Sequence, residues 1–166
     1  DSDDGVHHRL WRADDPAADL EHPRVPAGLP KPLTEAEVSG LLESVQGDRP
    51  VDRRDRAVLE LLYATGMRVS ELCGLSLADL ELDEGVVRVF GKGAKERIVP
   101  VGGPATRAVF DWLAPGGRPD LVPRQWARRG DAEAVFLGAR GRRLGRQHVW
   151  AILQARGEPV GLTDRL

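Results

Sequence analysis

Cysteine, tyrosine and methionine each occur once in the 166 residues, and lysine only three times. A lone cysteine, Cys73, rules out an intrachain disulfide framework. Its setting between Leu72 and Gly74-Leu75 suggests a small buried thiol. The four histidines are His7, His8, His22 and His148, and none stands at ligand spacing from the cysteine or from a suitable pair of carboxylates. No metal is therefore expected. No uninterrupted run of about eighteen apolar residues occurs, which argues against a membrane helix. The opening Asp1-Ser2-Asp3-Asp4 is acidic, with no apolar stretch behind it. That argues against a secretory leader and sets a cytoplasmic address as the expectation.

Charge of one sign is also missing from the total, which is −2, but not from the parts. Residues 1–22 carry seven acids against two arginines, whereas residues 117–146 carry eight arginines against three acids. Arginine outnumbers lysine 21 to 3. A planar guanidinium suits bidentate phosphate contacts, although biased codon usage would give the same excess.

Hydrophobic spacing divides the chain. Val6, Leu10 and Trp11 form a short apolar pattern that Asp14-Asp15-Pro16 interrupts, so residues 1–20 read as the tail of a preceding domain. Pro23, Pro26, Pro30 and Pro32 then exclude helix and ladder alike, making residues 21–32 an extended linker. At Thr34-Glu35-Ala36-Glu37 a capping box opens a helix whose apolar residues are Val38, Leu41, Leu42 and Val45, ending near Gly47-Asp48-Arg49-Pro50. A more buried helix is predicted over about residues 54–64, with Gly66 as its cap, and a short third helix over 69–75. Val86 to Phe90 and Arg97 to Val101 are β-branched runs around a Gly-Lys-Gly tip, hence a hairpin. A helix from Pro104 to Leu113, a polar loop over 114–134, a brief extended Val135-Phe136-Leu137 and a last helix from Arg146 complete the reading. The expected fold class is mainly α with a small antiparallel sheet, in an α+β domain over residues 33–166.

Two segments could carry chemistry. Arg68 follows a helix-ending glycine and precedes another helix, so its guanidinium and the first backbone N–H groups could form an anion site. Lys92, between two glycines at a hairpin tip, stands on a finger suited to reach into a nucleic-acid groove and donate a proton. The bland readings remain open: Arg68 as a solvated residue or a partner for Glu71, and Lys92 as a charge that protects a sheet edge. The tip is not a nucleotide-binding P-loop, because Gly93 follows the lysine and a strand follows the turn.

The segment Leu62-Tyr63-Ala64-Thr65-Gly66-Met67-Arg68-Val69-Ser70-Glu71-Leu72 resembles the box around the first catalytic arginine of the tyrosine recombinases, the phage-integrase type. Val86-Val87-Arg88-Val89-Phe90-Gly91-Lys92-Gly93-Ala94-Lys95-Glu96-Arg97-Ile98-Val99-Pro100 resembles that family's catalytic hairpin. Within the family the chain is most similar to the Xer subfamily, with a hairpin nearer the XerD type than the XerC type. The resemblance implies site-specific cleavage and rejoining of double-stranded DNA through a 3′-phosphotyrosyl link. It needs no metal or small-molecule cofactor, and in Xer members it serves chromosome dimer resolution beside a paired recombinase in a tetrameric synaptic complex. It implies Arg68 as a clamp on the nonbridging phosphate oxygens, Lys92 as the acid for the leaving 5′-oxygen, and Lys95 and Arg97 as DNA contacts. The family's His-x-x-Arg box and nucleophilic tyrosine are expected to lie past Leu166, since His148 precedes Val149-Trp150-Ala151 and Tyr63 reads as core. By that reading the chain as given does not cleave DNA. Two other readings stand beside it: a non-catalytic DNA-binding or interaction module, and a decayed gene product.

Overall fold

Thr34 opens the first helix by exchanging hydrogen bonds with Glu37. Its Oγ1 accepts the Glu37 N–H at 3.1 Å, and its own N–H donates to Glu37 Oε1 at 2.9 Å. Helix α1 runs Glu35–Ser44 and buries Leu41 completely. The computed structural model describes residues 33–166, so the expected domain tail over 1–20 and linker over 21–32 lie outside the described residues.

Helix α2 runs Pro50–Thr65 and begins four residues before the periodicity predicts. Pro50 is not the stop of the preceding element but the first turn of this one, where a missing N–H costs nothing. Asp52 reaches back to the Arg49 N–H at 3.3 Å and also takes the Arg49 guanidinium. At the other end Gly66 adopts the left-handed conformation (φ 67°) and its N–H caps the Leu62 carbonyl at 2.9 Å, as expected. Helix α3 follows as five residues, Val69–Cys73.

The sheet has three antiparallel strands in the order β1 (Leu80–Glu81), β2 (Val86–Phe90), β3 (Glu96–Pro100). Val89 opposes Arg97 and Phe90 opposes Glu96, which leaves Gly91 to Lys95 as the turn. Alternation sends Val87 and Val89 inward, both fully buried, and Arg88 outward between Glu81 (3.1 Å) and Glu96 (3.2 Å). Helix α4 (Gly103–Leu113) packs on α2, and α5 (Arg146–Gly157) closes the core from the other side. On α4 Trp112 is fully buried, donates Nε1–H to the Val135 carbonyl at 2.8 Å and stacks on Phe136 at 6.3 Å. The expected mainly helical fold with a small antiparallel sheet is what the chain adopts.

Charge is buried as well as carbon. Arg54 and Asp55 are both completely inaccessible, 2.8 Å apart. Arg156 from α5 joins them, donating to Asp55 and Asp52 at 2.9 Å each. This cluster ties the start of α2 to the end of α5. The arginine-rich stretch over 117–146 is likewise partly internal. Arg118 donates to the Ala132 and Ala134 carbonyls at 2.9 Å, and Arg143 to those of Cys73 and Leu75 at 3.0 and 2.9 Å. Two of the eight arginines are thus struts for a segment with little regular structure, whereas Arg124, Arg128, Arg129, Arg140, Arg142 and Arg146 are exposed. No described helix is long and apolar enough to cross a membrane.

Candidate active site

The start of α3 and the hairpin tip meet at one open cleft of about 300 Å³, lined by Arg68, Ser70, Glu71, Phe90, Gly91 and Lys92. The two candidate catalytic residues therefore face the same space, although they come from different elements. Arg68 stands at the position preceding α3 with an exposed side chain. Five residues make too short a helix for much dipole. The Arg68 N–H, moreover, is already taken by Glu71 Oε1 at 2.8 Å. The Arg68 guanidinium lines the cleft and supplies the fixed positive charge that an anion there would meet.

The tip that carries Lys92 is a tight, exposed turn. Gly91 donates to the Lys95 carbonyl at 2.9 Å and Ala94 to that of Gly91 at 3.1 Å. Gly93 (φ 74°) and Ala94 (φ 59°) are both left-handed. Ala94 is the one non-glycine residue with positive φ among the described residues, a conformation costing roughly 1–2 kcal/mol, and it sits two residues from Lys92. Lys95 is exposed on the descending side of the turn and does not line the cleft.

Glu71 is the residue that sequence reasoning undervalued. It is 7% exposed, and its two oxygens take Arg97 Nη1 at 2.6 Å and Nη2 at 2.9 Å besides the Arg68 N–H. Hydrogen bonds from the Arg97 guanidinium, opposed by burial and helped by the Arg68 N–H, hold its carboxyl down to about 2. Arg97, expected to contact DNA, thus has its fork engaged by a carboxylate while its side chain stays 47% exposed. The acid three residues after Arg68 was visible as a helix-start signal; its partner 26 positions away was not.

Three other candidates fall outside the cleft lining. Tyr63, expected in the core, is 36% exposed, because the buried face of α2 passes through Val58, Leu59 and Leu61 and turns the tyrosine outward in the last turn. Partial burial raises its hydroxyl above the usual range. Cys73 is half-buried and desolvation pushes its thiol up to about 11, leaving little thiolate at neutral pH. His148 is half-buried, and its Nδ1 accepts the Gly145 N–H at 3.0 Å, so it caps α5.

Known proteins resemble this chain in sequence and in fold. The sequence profile of the Phage integrase family matches residues 31–166. Tyrosine recombinase XerD of Halalkalibacterium halodurans is 47% identical over 152 residues, covering 92% of this chain and 49% of the relative. Tyrosine recombinase XerD of Mycobacterium tuberculosis is 51% identical over 139 residues, covering 81% of this chain and 43% of the relative. Among solved structures, the crystal structure of XerA recombinase superposes with a TM-score of 0.67 at 26% identity, over 86% of this chain and 48% of that one. The XerH site-specific recombinase bound to its difH substrate gives 0.63 at 22% identity, over 87% and 40%, and speaks for the fold. The chain spans about half the length of the curated relatives it matches.

Proposed function

Because the chain belongs to the phage integrase family, we propose that it forms the front part of the catalytic domain of a Xer-type tyrosine recombinase, an enzyme that cleaves and rejoins double-stranded DNA at a specific site. The observation that carries this reading is the shared cleft of Arg68 and Lys92. A phosphodiester placed there has a guanidinium for its nonbridging oxygens and an ammonium for its leaving oxygen. In the step proposed, a tyrosine oxygen bonds to phosphorus as the P–O5′ bond breaks. The 5′-oxygen leaves with a proton from Lys92, and a 3′-phosphotyrosyl ester remains. Attack by the 5′-hydroxyl of the exchanged strand reverses each transfer. Arg68 supplies fixed positive charge where negative charge grows, and such preorganised stabilisation is worth several kcal/mol of barrier. Lysine fits the acid's role because an ammonium parts with its proton more readily than a guanidinium does.

No tyrosine lines the cleft among the described residues. The proposal therefore assigns this chain the clamp and the acid, and not the nucleophile. Lys95, and the part of Arg97 that Glu71 leaves open, are assigned to the DNA backbone. Residues 1–20 and 21–32 are assigned to the tail of a DNA-clamping domain and its linker. For the whole protein we place the reaction in the bacterial cytoplasm, in a tetrameric complex with a paired recombinase, with chromosome dimer resolution as its purpose.

Binding of a labelled duplex to the chain, followed by fluorescence anisotropy across a salt series, tests the reading. Binding is expected to weaken linearly in log salt, and Arg68→Ala and Lys92→Ala are each expected to lower the slope by about one phosphate contact. A slope that neither substitution changes would remove both residues from the DNA.

A further inference from the structure

We propose that Arg97 is a positioning residue. By clamping Glu71 it holds the Lys92 hairpin against the α2–α3 junction that presents Arg68. This rests on the reading above, since what is positioned is the pair of cations assigned to one phosphate. The geometry separates Arg97 from an ordinary surface cation in three ways. Its strand position opposes Val89, so the side chain leaves from the inward face of the sheet and not from the outer face that carries Arg88. Its guanidinium meets both oxygens of Glu71 at 2.6 and 2.9 Å, the two-point grip that fixes direction as well as distance. The same carboxylate accepts the Arg68 N–H at 2.8 Å, so one buried group joins the base of the hairpin to the residue that carries the clamp.

The fit around this joint is close. A Cβ on Gly91 would stand 3.4 Å from Glu71 Oε2 and 3.6 Å from Arg97 Nη1, and Gly91 is the residue immediately before Lys92. The pair thus packs directly under the turn. Beyond Gly91 the tip carries only its own turn hydrogen bonds, from Gly91 to Lys95 and from Ala94 to Gly91. Lys92, Gly93, Ala94 and Lys95 are all exposed. With so little packing beyond it, the direction in which Lys92 points depends on how the root of the hairpin is held. A lysine in place of Arg97 keeps the charge but loses the fork, and this is the difference that the test exploits.

The test uses the full chain with Arg97→Lys, Arg97→Gln and Lys92→Ala, alone and combined. Duplex affinity at fixed salt is read by anisotropy, and backbone amide hydrogen exchange by NMR. Arg97→Lys is expected to weaken duplex binding several-fold with net charge unchanged, and to have no further effect in the Lys92→Ala background. Exchange at the Gly91 and Arg68 amides is expected to quicken about tenfold, while amides of Leu59 and Ile152 stay protected. If Arg97 acts through its own phosphate contact alone, Arg97→Lys binds as wild type, and the losses from Arg97→Gln and Lys92→Ala add; either result overturns the proposal. Unchanged exchange at Gly91 and Arg68 overturns it too, whatever the affinities. A wild-type chain that does not bind duplex would defeat the functional reading alone, with the hydrogen exchange still deciding whether Arg97 holds the hairpin.

Discussion

Single residues in this chain do two kinds of work, and burial separates them. Arg68 and Lys92 are exposed and line the cleft, whereas Arg54 and Asp55 are wholly inaccessible and far along α2 from it. Asp55 accepts Arg54 Nε and Arg156 Nε, both at 2.9 Å. Its removal strands a buried guanidinium that no water reaches. Asp55→Ala is therefore expected to destabilise the fold by about 3–5 kcal/mol, measured by urea unfolding followed by circular dichroism. A loss below about 1 kcal/mol would mean that the cluster relaxes to let solvent in. Replacing the whole cluster by apolar residues of similar volume is a different experiment, because the cost lies in leaving one partner unpaired.

At the scale of elements, what was legible in the sequence was whatever local chemistry decides. The Thr34 box, the left-handed Gly66 and the hairpin around Gly91-Lys92-Gly93 each depend on residues a few positions apart, and each is found where the pattern puts it. What was not legible depends on contacts between distant segments. Strand β1 is two residues that exist as a strand only because Leu80 pairs with Val87. Val135 to Leu137, expected to be extended, is buried but bends at Val135 and Phe136; Leu137 pairs in an isolated bridge with Arg143, and the segment is held by bonds such as that from the Val135 N–H to the Leu75 carbonyl at 3.1 Å. Pro50 looks like a terminator in the sequence because a proline ends one helix as readily as it begins the next. Tyr63 was read as core from its apolar neighbours, but the last turn of α2 has rotated it away from the buried face.

The docking of the hairpin onto α3 carries a pH signature of its own. Glu71 is held at about 2, below its ordinary value of 4.5, so its ionised form is favoured by folding. Its contribution is fully present above pH 4.5 and is lost as pH falls through the interval toward 2. Glu71→Gln is accordingly expected to lower the unfolding midpoint in urea at neutral pH. The gap from wild type should narrow as the pH is taken down to about 3. A gap that stays constant with pH would show that the pair contributes through packing and not through charge.

At the scale of the whole molecule, a helical core brings two cations from separate elements to one cleft, the place proposed for a phosphate. Net charge is −2, so the DNA binding proposed for this chain has to come from where the cations stand and not from the total. The scarcity of lysine makes this directly observable. With only three lysines in the sequence, a chain labelled with ¹⁵N at lysine and arginine side chains has three ammonium signals to resolve, those of Lys31, Lys92 and Lys95. Titrated with a short duplex at low salt, the Lys92 ammonium and the Arg68 Nε–H are expected to shift together, with one midpoint. Both shifts should be absent when a phosphate-free analogue of the duplex is used. A Lys92 signal that stays still while Arg68 moves, or two midpoints that differ, would contradict the claim that the two side chains hold the same phosphate.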